Sequence, residues 1–245
     1  MPVFLNAARF DAAIIDLDGT MVNTLGDFVI AINLMLRDLD LAAVDEAVVA
    51  LRVGKGSEHL VNSVMNHALE SSKRAQTAPE NIAIAKEALS LYQQHYSAVN
   101  GQHAHVYPGV VGGLRALQSS GLKLACLTNK PVGFARDLLR LKELNGFFSH
   151  VFGGDSFEAK KPYAMPVLKT CEALGSLPER TLMVGDSSND AEAARAAGCP
   201  VVLVTYGYNH GHPVASAKPD ATIDSLQQLA SQLSPKISQK RPVAP

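Results

Sequence analysis

Polar side chains that could do chemistry follow three apolar runs of the chain. They are Asp16 and Asp18 in IIDLDGT, Thr128 and Asn129 in LTNK, and Asp186 and Asp190 in VGDSSND. Carboxylates that come together in a partly desolvated pocket repel one another strongly unless a cation lies between them. Magnesium is a hard cation that binds one or two carboxylates together with water and phosphate oxygens. These residue types therefore indicate magnesium-assisted phosphoryl chemistry, provided that the fold brings them together.

Each motif also has a purely structural interpretation. Asp18-Gly19 between apolar runs is typical of a β-hairpin turn, and LTNK could be a capped turn that leads into a helix. GDSSND could be only a helix start, with one serine as its cap and Asp190 near the positive end of the helix dipole. Lys160-Lys161 could be a solvated basic pair. The four motifs nevertheless occur in order, each at the end of a strand or the start of a helix, which favours one shared site.

The elements that would position these residues alternate between strands and helices. Short apolar runs predict buried strands at residues 12–16, 123–128, 150–153, 181–185 and 200–205. Helical periodicity predicts helices at residues 110–119, 131–144, 163–174 and 189–197. This alternation indicates an α/β fold, a Rossmann-like parallel sheet core with helices on both faces. In such sheets ligands bind beyond the carboxyl ends of the strands, which is where the polar residues would converge.

Residues 24–106 have a different pattern, with apolar residues at three- and four-residue spacing and no strand-like run. The expected helices are 25–39, 44–51, 57–71 and 79–96. Because residues 21–22 lead into the first of these helices, the hairpin interpretation of Asp18-Gly19 is disfavoured. We predict a core domain from residues 1–23 and 107–233, an α-helical domain inserted at 24–106, and a disordered tail at 234–245.

The composition is that of an ordinary water-soluble protein. Of the 245 residues, 47% are hydrophobic and 18% are charged, and the formal net charge is −1. These values give no basic surface for nucleic acid, and no apolar run approaches the roughly 20 residues of a membrane span. The N-terminus lacks the basic region of a signal peptide, and the three separated cysteines are expected to be reduced core thiols. We therefore expect a cytoplasmic monomer or homodimer without nucleic-acid or membrane partners.

The motifs DLDGT, LTNK, KKPYAMP and GDSSND, in this order, resemble those of the haloacid dehalogenase superfamily of aspartate-dependent phosphohydrolases. The resemblance covers residues 11–229, and the helical insertion resembles the small α-helical cap of that family. The stretches LTNKPVGFA, VFGGDSFEAKKP, VGDSSNDAEAARAAGCP and TYGYNHG are most similar to its phosphoglycolate phosphatase branch. The resemblance implies Mg²⁺-dependent hydrolysis of a small anionic phosphate ester, with 2-phosphoglycolate as the expected substrate.

The resemblance also implies catalytic and metal-binding roles. Asp16 would be the nucleophile that forms an aspartyl-phosphate, and Asp18 would be the general acid and then the general base. Magnesium would be held by Asp16, the backbone carbonyl of Asp18 and Asp186, with Asp190 acting indirectly or through water. Gly19 would let the chain curl back so that Asp18 faces the pocket.

Phosphate-binding roles are carried over in the same way. Thr128 and the backbone of Asn129 would hydrogen-bond the transferring phosphoryl group. Lys161 would neutralise the charge of this group and of Asp16, whereas Lys160 is expected to be a surface neighbour. The sequence departs from the family at Asn23, where an aspartate is usual, and this change could alter cap closure.

Substrate choice is expected to come from the cap. The loop RVGKGS places Arg52 and Lys55 among glycines before a helix start at Ser57, which would suit the carboxylate of a small anion. A solvated turn between helices explains the same loop equally well. The role of the segment YGYNHG, which follows the last predicted core strand, is open.

Two other functions fit parts of the pattern. One is a phosphatase or phosphomutase for a small sugar phosphate, which would use the same catalytic residues with a different cap. The other is a phospho-receiver regulatory module, which also places an aspartate, a threonine and a lysine around magnesium. The large helical insertion and the second carboxylate at Asp18 argue against the receiver module.

Overall fold

The computed structural model describes residues 10–72 and 78–233. Its strands are β1 Ala12–Ile15, β2 Val22–Asn23, β3 His105–Val106, β4 Lys123–Leu127, β5 His150–Phe152, β6 Thr181–Gly185, β7 Val201–Val204 and β8 Ala221–Ile223. Its α-helices are α1 Leu25–Asp38, α2 Glu46–Ala50, α3 Ser57–Ser72, α4 Ala78–Val99, α5 Val110–Ser119, α6 Val132–Leu141, α7 Ala164–Leu174, α8 Ser188–Ala197 and α9 Leu226–Leu233. The predictions for a signal-peptide-free N-terminus and a disordered tail lie outside the described residues.

Six of these strands form one parallel sheet in the order β5-β4-β1-β6-β7-β8. From β1 the chain first builds outward through β4 and β5, and it then crosses to the opposite side of β1 at β6. The strand order therefore reverses around β1, and this switch point is where open α/β sheets bind their ligands.

The sheet is covered on both faces, which confirms the predicted α/β class. Alternate residues of β1 point to opposite faces, so Ala13 and Ile15 lie in one apolar cluster and Ala12 and Ile14 in another. Helices α5, α6 and α9 contribute to the first cluster, and α7 and α8 contribute to the second. A strand buried on both faces has little polar surface of its own. The carboxylate of Asp16, which directly follows β1, is therefore unusual for such a strand and indicates a chemical function.

The helical insertion has a separate apolar core. Helix α1 packs mainly on α4, and buried Ile32, Met35, Val61 and Tyr92 belong to the cluster that α1, α3 and α4 share. Asp27 in the first turn of α1 is fully buried and accepts hydrogen bonds from the backbone N–H groups of Gly101 and His103, at 2.6 and 2.7 Å. The carboxylate thus connects the beginning of the insertion to its end.

One expectation for the insertion was wrong, because the chain around it is not free of strands. Strand β2 pairs with β3 in antiparallel fashion, with Val22 opposite Val106 and Asn23 opposite His105. The two links between sheet and insertion therefore form a narrow ribbon. Asp18-Gly19 is a turn that does not return the chain to β1, so the hairpin with β1 is indeed absent from this described region.

The remaining differences concern short elements. Strands β1, β4, β5 and β7 each end one residue before the predicted end, and β8 and α9 have no counterpart among the predictions. All three cysteines are buried and free, as expected, with the sulfurs of Cys171 and Cys199 3.7 Å apart. Among the described helices, none combines the length and the apolar character that crossing a bilayer would require.

Candidate active site

The polar residues predicted to converge do come together at the carboxyl end of the sheet. Asp16 follows β1, Thr128 follows β4 and Asp186 follows β6, and these three strands are adjacent. All three side chains are buried. The parallel arrangement therefore brings together residues that are between 58 and 170 positions apart in the chain.

Lys161 is the centre of a buried ion-pair network. Its ammonium lies 3.0 Å from a carboxylate oxygen of Asp16, 2.7 Å from one of Asp190 and 2.9 Å from the carbonyl of Leu127. Burial opposes the charge of Lys161, but the carboxylates of Asp16 and Asp190 outweigh this effect and raise the pKa of the ammonium. All three N–H donors of Lys161 are engaged, so it can neutralise charge at Asp16 without moving.

Asp190 has two structural partners, one for each carboxylate oxygen. One oxygen binds Lys161, and the other accepts hydrogen bonds from the N–H groups of Asp186 and Ser187 and from the Ser187 hydroxyl, at 3.0–3.2 Å. Ser187 is the N-cap of α8, and its reciprocal bonds with Asp190 form a capping box. The helix-cap interpretation of GDSSND is therefore also correct, because the same carboxylate caps α8 and orients Lys161.

Asp16, Asp186 and Asp190 form a cluster that fits a hard divalent cation. One carboxylate oxygen from each lies within 4.8 Å of the other two. Burial raises the pKa of Asp16 to about 7, although Lys161 opposes the shift, and burial together with Asp190 and Asp16 raises the pKa of Asp186 well above its usual range. Oxygen ligands with unfavourable buried charge are the environment that Mg²⁺ relieves. Asp190 accepts four hydrogen bonds, whereas Asp16 and Asp186 accept two each, so Asp16 and Asp186 are the better candidates for direct ligands.

The side chain of Asp18 lies apart from this cluster and has a partner that the sequence did not reveal. Both of its carboxylate oxygens accept hydrogen bonds from the Lys130 ammonium, at 2.9 and 3.0 Å, and the Thr24 hydroxyl donates to it at 2.8 Å. The same ammonium lies 4.5 Å from the ring centroid of Phe28 and 4.8 Å from that of Tyr96. Lys130 is the last residue of the LTNK motif, so the sequence indicated that it lies near the site. The sequence did not predict that its side chain is buried.

Gly19 allows Asp18 and Asp186 to lie on the same side of the turn. Its φ angle is +81°, and a Cβ atom there would lie only 2.2 Å from a carboxylate oxygen of Asp186. Any other residue would therefore clash with Asp186, a candidate metal ligand, as well as adopt a strained backbone. The predicted need for glycine at this position is confirmed by its geometry.

The segment YGYNHG connects the carboxylate cluster to the ribbon of β2 and β3. The backbone N–H of Tyr208 donates to Asp186 at 2.6 Å, and its hydroxyl donates to the Asn23 side-chain oxygen at 2.5 Å. The same hydroxyl accepts the N–H groups of Thr24 and Leu25, at 3.1 and 3.2 Å. Asn23, the residue that departs from the family pattern, is therefore fixed from the core side by Tyr208.

Asn129 connects the core to the loop of the insertion. Its amide nitrogen donates to the carbonyls of Gly54 and Lys161, at 3.0 and 2.9 Å, and its oxygen accepts the N–H of Lys161 at 3.0 Å. Asn189 also donates to Gly54, at 3.2 Å. These bonds close the insertion over the sheet.

A cavity of about 30 Å³ lies between the insertion and the core. Its lining residues are Asp16, Asp18, Phe28, Val53, Gly54, Gly56, Ser57, Leu60, Tyr96, Thr128, Asn129 and Lys130. Thr128 therefore lines the same cavity as Asp16 and Asp18. The wall from the insertion is mostly apolar.

The two cations expected from the insertion are not part of this wall. Arg52 donates instead to the carbonyls of Val48 and Ser63, at 2.6 and 3.3 Å, so its guanidinium stabilises the insertion itself. Lys55 is half-buried and is not among the residues that line the cavity. Lys160, expected at the surface, is half-buried, and its ammonium would lie 3.2 Å from a Cβ atom placed on Gly56.

Residues 13–204 match the family model for haloacid dehalogenase-like hydrolases. The match spans more than half of the chain, and it includes the strands that carry Asp16, Thr128 and Asp186 as well as the inserted helices. The chain belongs to the haloacid dehalogenase-like hydrolase family.

The individual proteins that this chain resembles indicate a narrower class of activity than the family model does. The phosphoglycolate phosphatase of Thiobacillus denitrificans is 38% identical over 219 residues, which cover 89% of this chain and 93% of the relative. That of Nitrosospira multiformis is 40% identical over 217 residues, covering 89% and 92%. A crystal structure from Haemophilus somnus, described as a predicted phosphoglycolate phosphatase, has a TM-score of 0.86 and 33% identity over 91% of this chain and 97% of that one. These similarities confirm the predicted class of enzyme, a phosphoric monoester hydrolase, and argue against a receiver module.

Proposed function

We propose that the protein hydrolyses 2-phosphoglycolate to glycolate and phosphate, with Mg²⁺ as cofactor and Asp16 as the nucleophile. The observation that carries the proposal is the buried network of Asp16, Lys161 and Asp190, whose Asp16 lines the small cavity between the insertion and the core. The relatives named phosphoglycolate phosphatase support the choice of substrate.

In the first step a carboxylate oxygen of Asp16 attacks phosphorus, and the bond between phosphorus and the ester oxygen breaks. Lys161 stays against Asp16 and offsets negative charge at the reacting group. Asp18, in its protonated form, gives its proton to the leaving oxygen of glycolate. Thr128, which lines the same cavity, is placed to hydrogen-bond the transferring group.

In the second step water attacks the phosphorus of the aspartyl-phosphate, and Asp18 accepts the proton that water loses. Phosphate is released, Asp16 is regenerated as a carboxylate and Asp18 is again protonated. Asp16 and Asp186 would hold Mg²⁺, with Asp190 orienting Lys161 and the backbone around Asp186. When bound, the metal supplies positive charge to the phosphoryl oxygens.

The small cavity supports a small leaving group. Phe28, Val53, Leu60 and Tyr96 close it from the insertion, and the hydrogen bonds from Asn129 and Asn189 to Gly54 hold the loop down. Closure of this kind excludes water from the nucleophile and limits the size of the group that can leave. A volume of about 30 Å³ holds only about one or two water molecules, so the loop at Gly54 must move for any phosphate ester to enter, and a hexose phosphate requires a larger movement than 2-phosphoglycolate.

A substrate panel tests the proposal. The purified enzyme is given 2-phosphoglycolate, hexose phosphates and nucleotides with Mg²⁺, and kcat/KM is compared. We expect 2-phosphoglycolate to exceed the others by at least about tenfold. A hexose phosphate that exceeds 2-phosphoglycolate by the same margin would assign the protein to sugar phosphates instead. Protein carrying Asp16→Asn, purified identically, controls for contaminating phosphatases.

A further inference from the structure

The cavity contains a cation that the reaction as described does not use. Lys161 is not among the residues that line the cavity, and all three of its donors are engaged by Asp16, Asp190 and the carbonyl of Leu127. Lys130 is different, because it lines the cavity, and its ammonium donates to Asp18, which lines the same cavity. Among the described residues that line the cavity, Lys130 is the one with a cationic side chain.

We propose that Lys130 recognises the carboxylate of the substrate and is the residue that makes the enzyme selective for an acidic leaving group. This inference rests on the proposed function and assigns a residue to its substrate choice. It replaces the sequence-based assignment to Arg52 and Lys55. Arg52 is held by two carbonyl oxygens of the insertion, and Lys55 does not line the cavity.

The position of Lys130 relative to Asp18 carries the argument. A general acid must lie within hydrogen-bond distance of the leaving oxygen, at about 2.6–3.2 Å. Lys130 is 2.9–3.0 Å from both oxygens of Asp18, so its ammonium is also close to the place of the leaving oxygen. In 2-phosphoglycolate one methylene separates that oxygen from the carboxylate carbon. A carboxylate in this position therefore falls within reach of the ammonium.

The buried surroundings of Lys130 favour a charged leaving group over a neutral one. Its side chain is 2% exposed, and the rings of Phe28 and Tyr96 lie within 4.8 Å of the ammonium. The rings attract the cation without providing an anion, and its carboxylate partner Asp18 is uncharged when it acts as the acid, so the ammonium then has charge available for the substrate carboxylate. A neutral leaving group offers no counter-charge here, and at a desolvated site the difference between the two is large.

The ring contacts also explain how recognition involves the insertion. Phe28 lies on α1 and Tyr96 on α4, whereas Lys130 follows β4 of the core. The ammonium therefore contacts both parts of the protein at their boundary. A substrate carboxylate bound to Lys130 would lie under the closed insertion.

The experiment compares 2-phosphoglycolate with its amide, 2-phosphoglycolamide, which has the same shape and no carboxylate charge. In the unaltered enzyme we expect kcat/KM for the acid to exceed that for the amide by about 10- to 100-fold, the range of a hydrogen bond to a charged group. In Lys130→Met, whose flexible side chain still packs on the two rings, we expect this ratio to fall to within about threefold of unity. In Lys55→Met we expect the ratio to stay at the value of the unaltered enzyme.

Several outcomes would overturn the proposal. Equal losses for acid and amide in Lys130→Met would show that Lys130 acts only through Asp18, and a collapse of the ratio in Lys55→Met alone would return recognition to the insertion. An unaltered enzyme that hydrolyses both substrates without preference would also contradict it. In contrast, an enzyme that is active on other phosphate esters but not on 2-phosphoglycolate would contradict the proposed function itself.

A second measurement keeps the test decisive if Lys130→Met does not fold. In Asp16→Asn, which is expected to bind without turnover, the NMR signal of the Lys130 ε-methylene is followed during titration with each compound. We expect a shift with 2-phosphoglycolate that 2-phosphoglycolamide does not produce. The same response to both compounds would contradict recognition of the carboxylate.

Discussion

Asp16 and Asp18 are two positions apart, yet their side chains have different partners. Asp16 lies against Lys161, and Asp18 lies against Lys130 and Thr24. The two carboxylates therefore have separate environments, as two groups with different roles in the reaction require.

Asp16→Asn removes the nucleophile and tests this division of roles. We expect kcat for 2-phosphoglycolate to fall by at least about 1,000-fold while the fold is retained, because an amide cannot form the acyl-phosphate. Steady-state kinetics and thermal unfolding measure the two effects. Asp137→Asn, at an exposed position, is the matched control and should keep its activity. Turnover of Asp16→Asn within about tenfold of the unaltered enzyme would exclude Asp16 as the nucleophile.

At the scale of elements, the link between sheet and insertion is fixed from two sides. Tyr208 holds the outgoing strand β2 and the start of α1 through its hydroxyl, and Asp27 holds the returning chain at Gly101 and His103. Tyr208 also donates to Asp186, so one residue contacts both the candidate metal site and the link between sheet and insertion. Movement of the insertion is therefore mechanically connected to the carboxylates.

Tyr208→Phe removes one hydroxyl from the link between sheet and insertion. The N–H groups of Thr24 and Leu25 and the oxygen of Asn23 lose a partner, and we expect the free energy of unfolding to fall by about 1–3 kcal/mol. Denaturant unfolding measures the change. Tyr163→Phe, at a side chain that is 67% exposed, removes a hydroxyl without this effect. Equal stability of the two variants would contradict a structural role for the Tyr208 hydroxyl.

Asp27→Ala tests the second anchor. It leaves two backbone N–H groups, those of Gly101 and His103, without their acceptor in a buried place, and we expect a loss of about 2–4 kcal/mol. Asp27→Asn keeps one acceptor oxygen and should lose less. Chemical denaturation of both variants gives the order. If the asparagine variant were no more stable than the alanine variant, the hydrogen bonds that Asp27 accepts would not explain its contribution.

The sequence predicted the larger elements, the carboxylates and Lys161 as the partner of Asp16, but not the partners of Asp18 and Asp186. Strands and helices with strong apolar periodicity were found at nearly the predicted bounds, since local pattern determines them. The ribbon of β2 and β3 has two residues per strand and pairs positions more than 80 apart, so no local pattern marks it. Lys130 was missed for a similar reason. Lysine is rarely buried, and its burial here depends on Asp18, 112 positions away.

At the scale of the whole molecule, the effect of the carboxylate cluster on the free energy of unfolding depends on pH. The pKa of Asp16 is raised to about 7 and that of Asp186 lies well above its usual range, first through burial and then through neighbouring charges. A raised pKa means that the folded protein binds more protons than the unfolded chain. Without metal, this contribution to stability is complete below about pH 4 and is lost as the pH rises through 7.

Magnesium should therefore stabilise the protein most where these carboxylates would otherwise be ionised. We expect the rise in Tm on adding Mg²⁺ to be larger at pH 8 than at pH 5, because protons and metal compete for the same oxygens. Calorimetry with and without a chelator measures it. Asp186→Asn should show a smaller rise at pH 8. An equal effect at both pH values, or in both proteins, would argue against metal binding at this cluster.

The central claim is that hydrolysis proceeds through a phosphate bound to Asp16, and trapping this intermediate tests it most directly. The enzyme is mixed with 2-phosphoglycolate and Mg²⁺, stopped in acid within milliseconds, digested and analysed by mass spectrometry. We predict a phosphate group on the side chain of Asp16, absent when the chelator is present or when Asp16→Asn is used. Hydrolysis of 2-phosphoglycolate without any phosphoenzyme, or with the phosphate on another residue, would contradict the account.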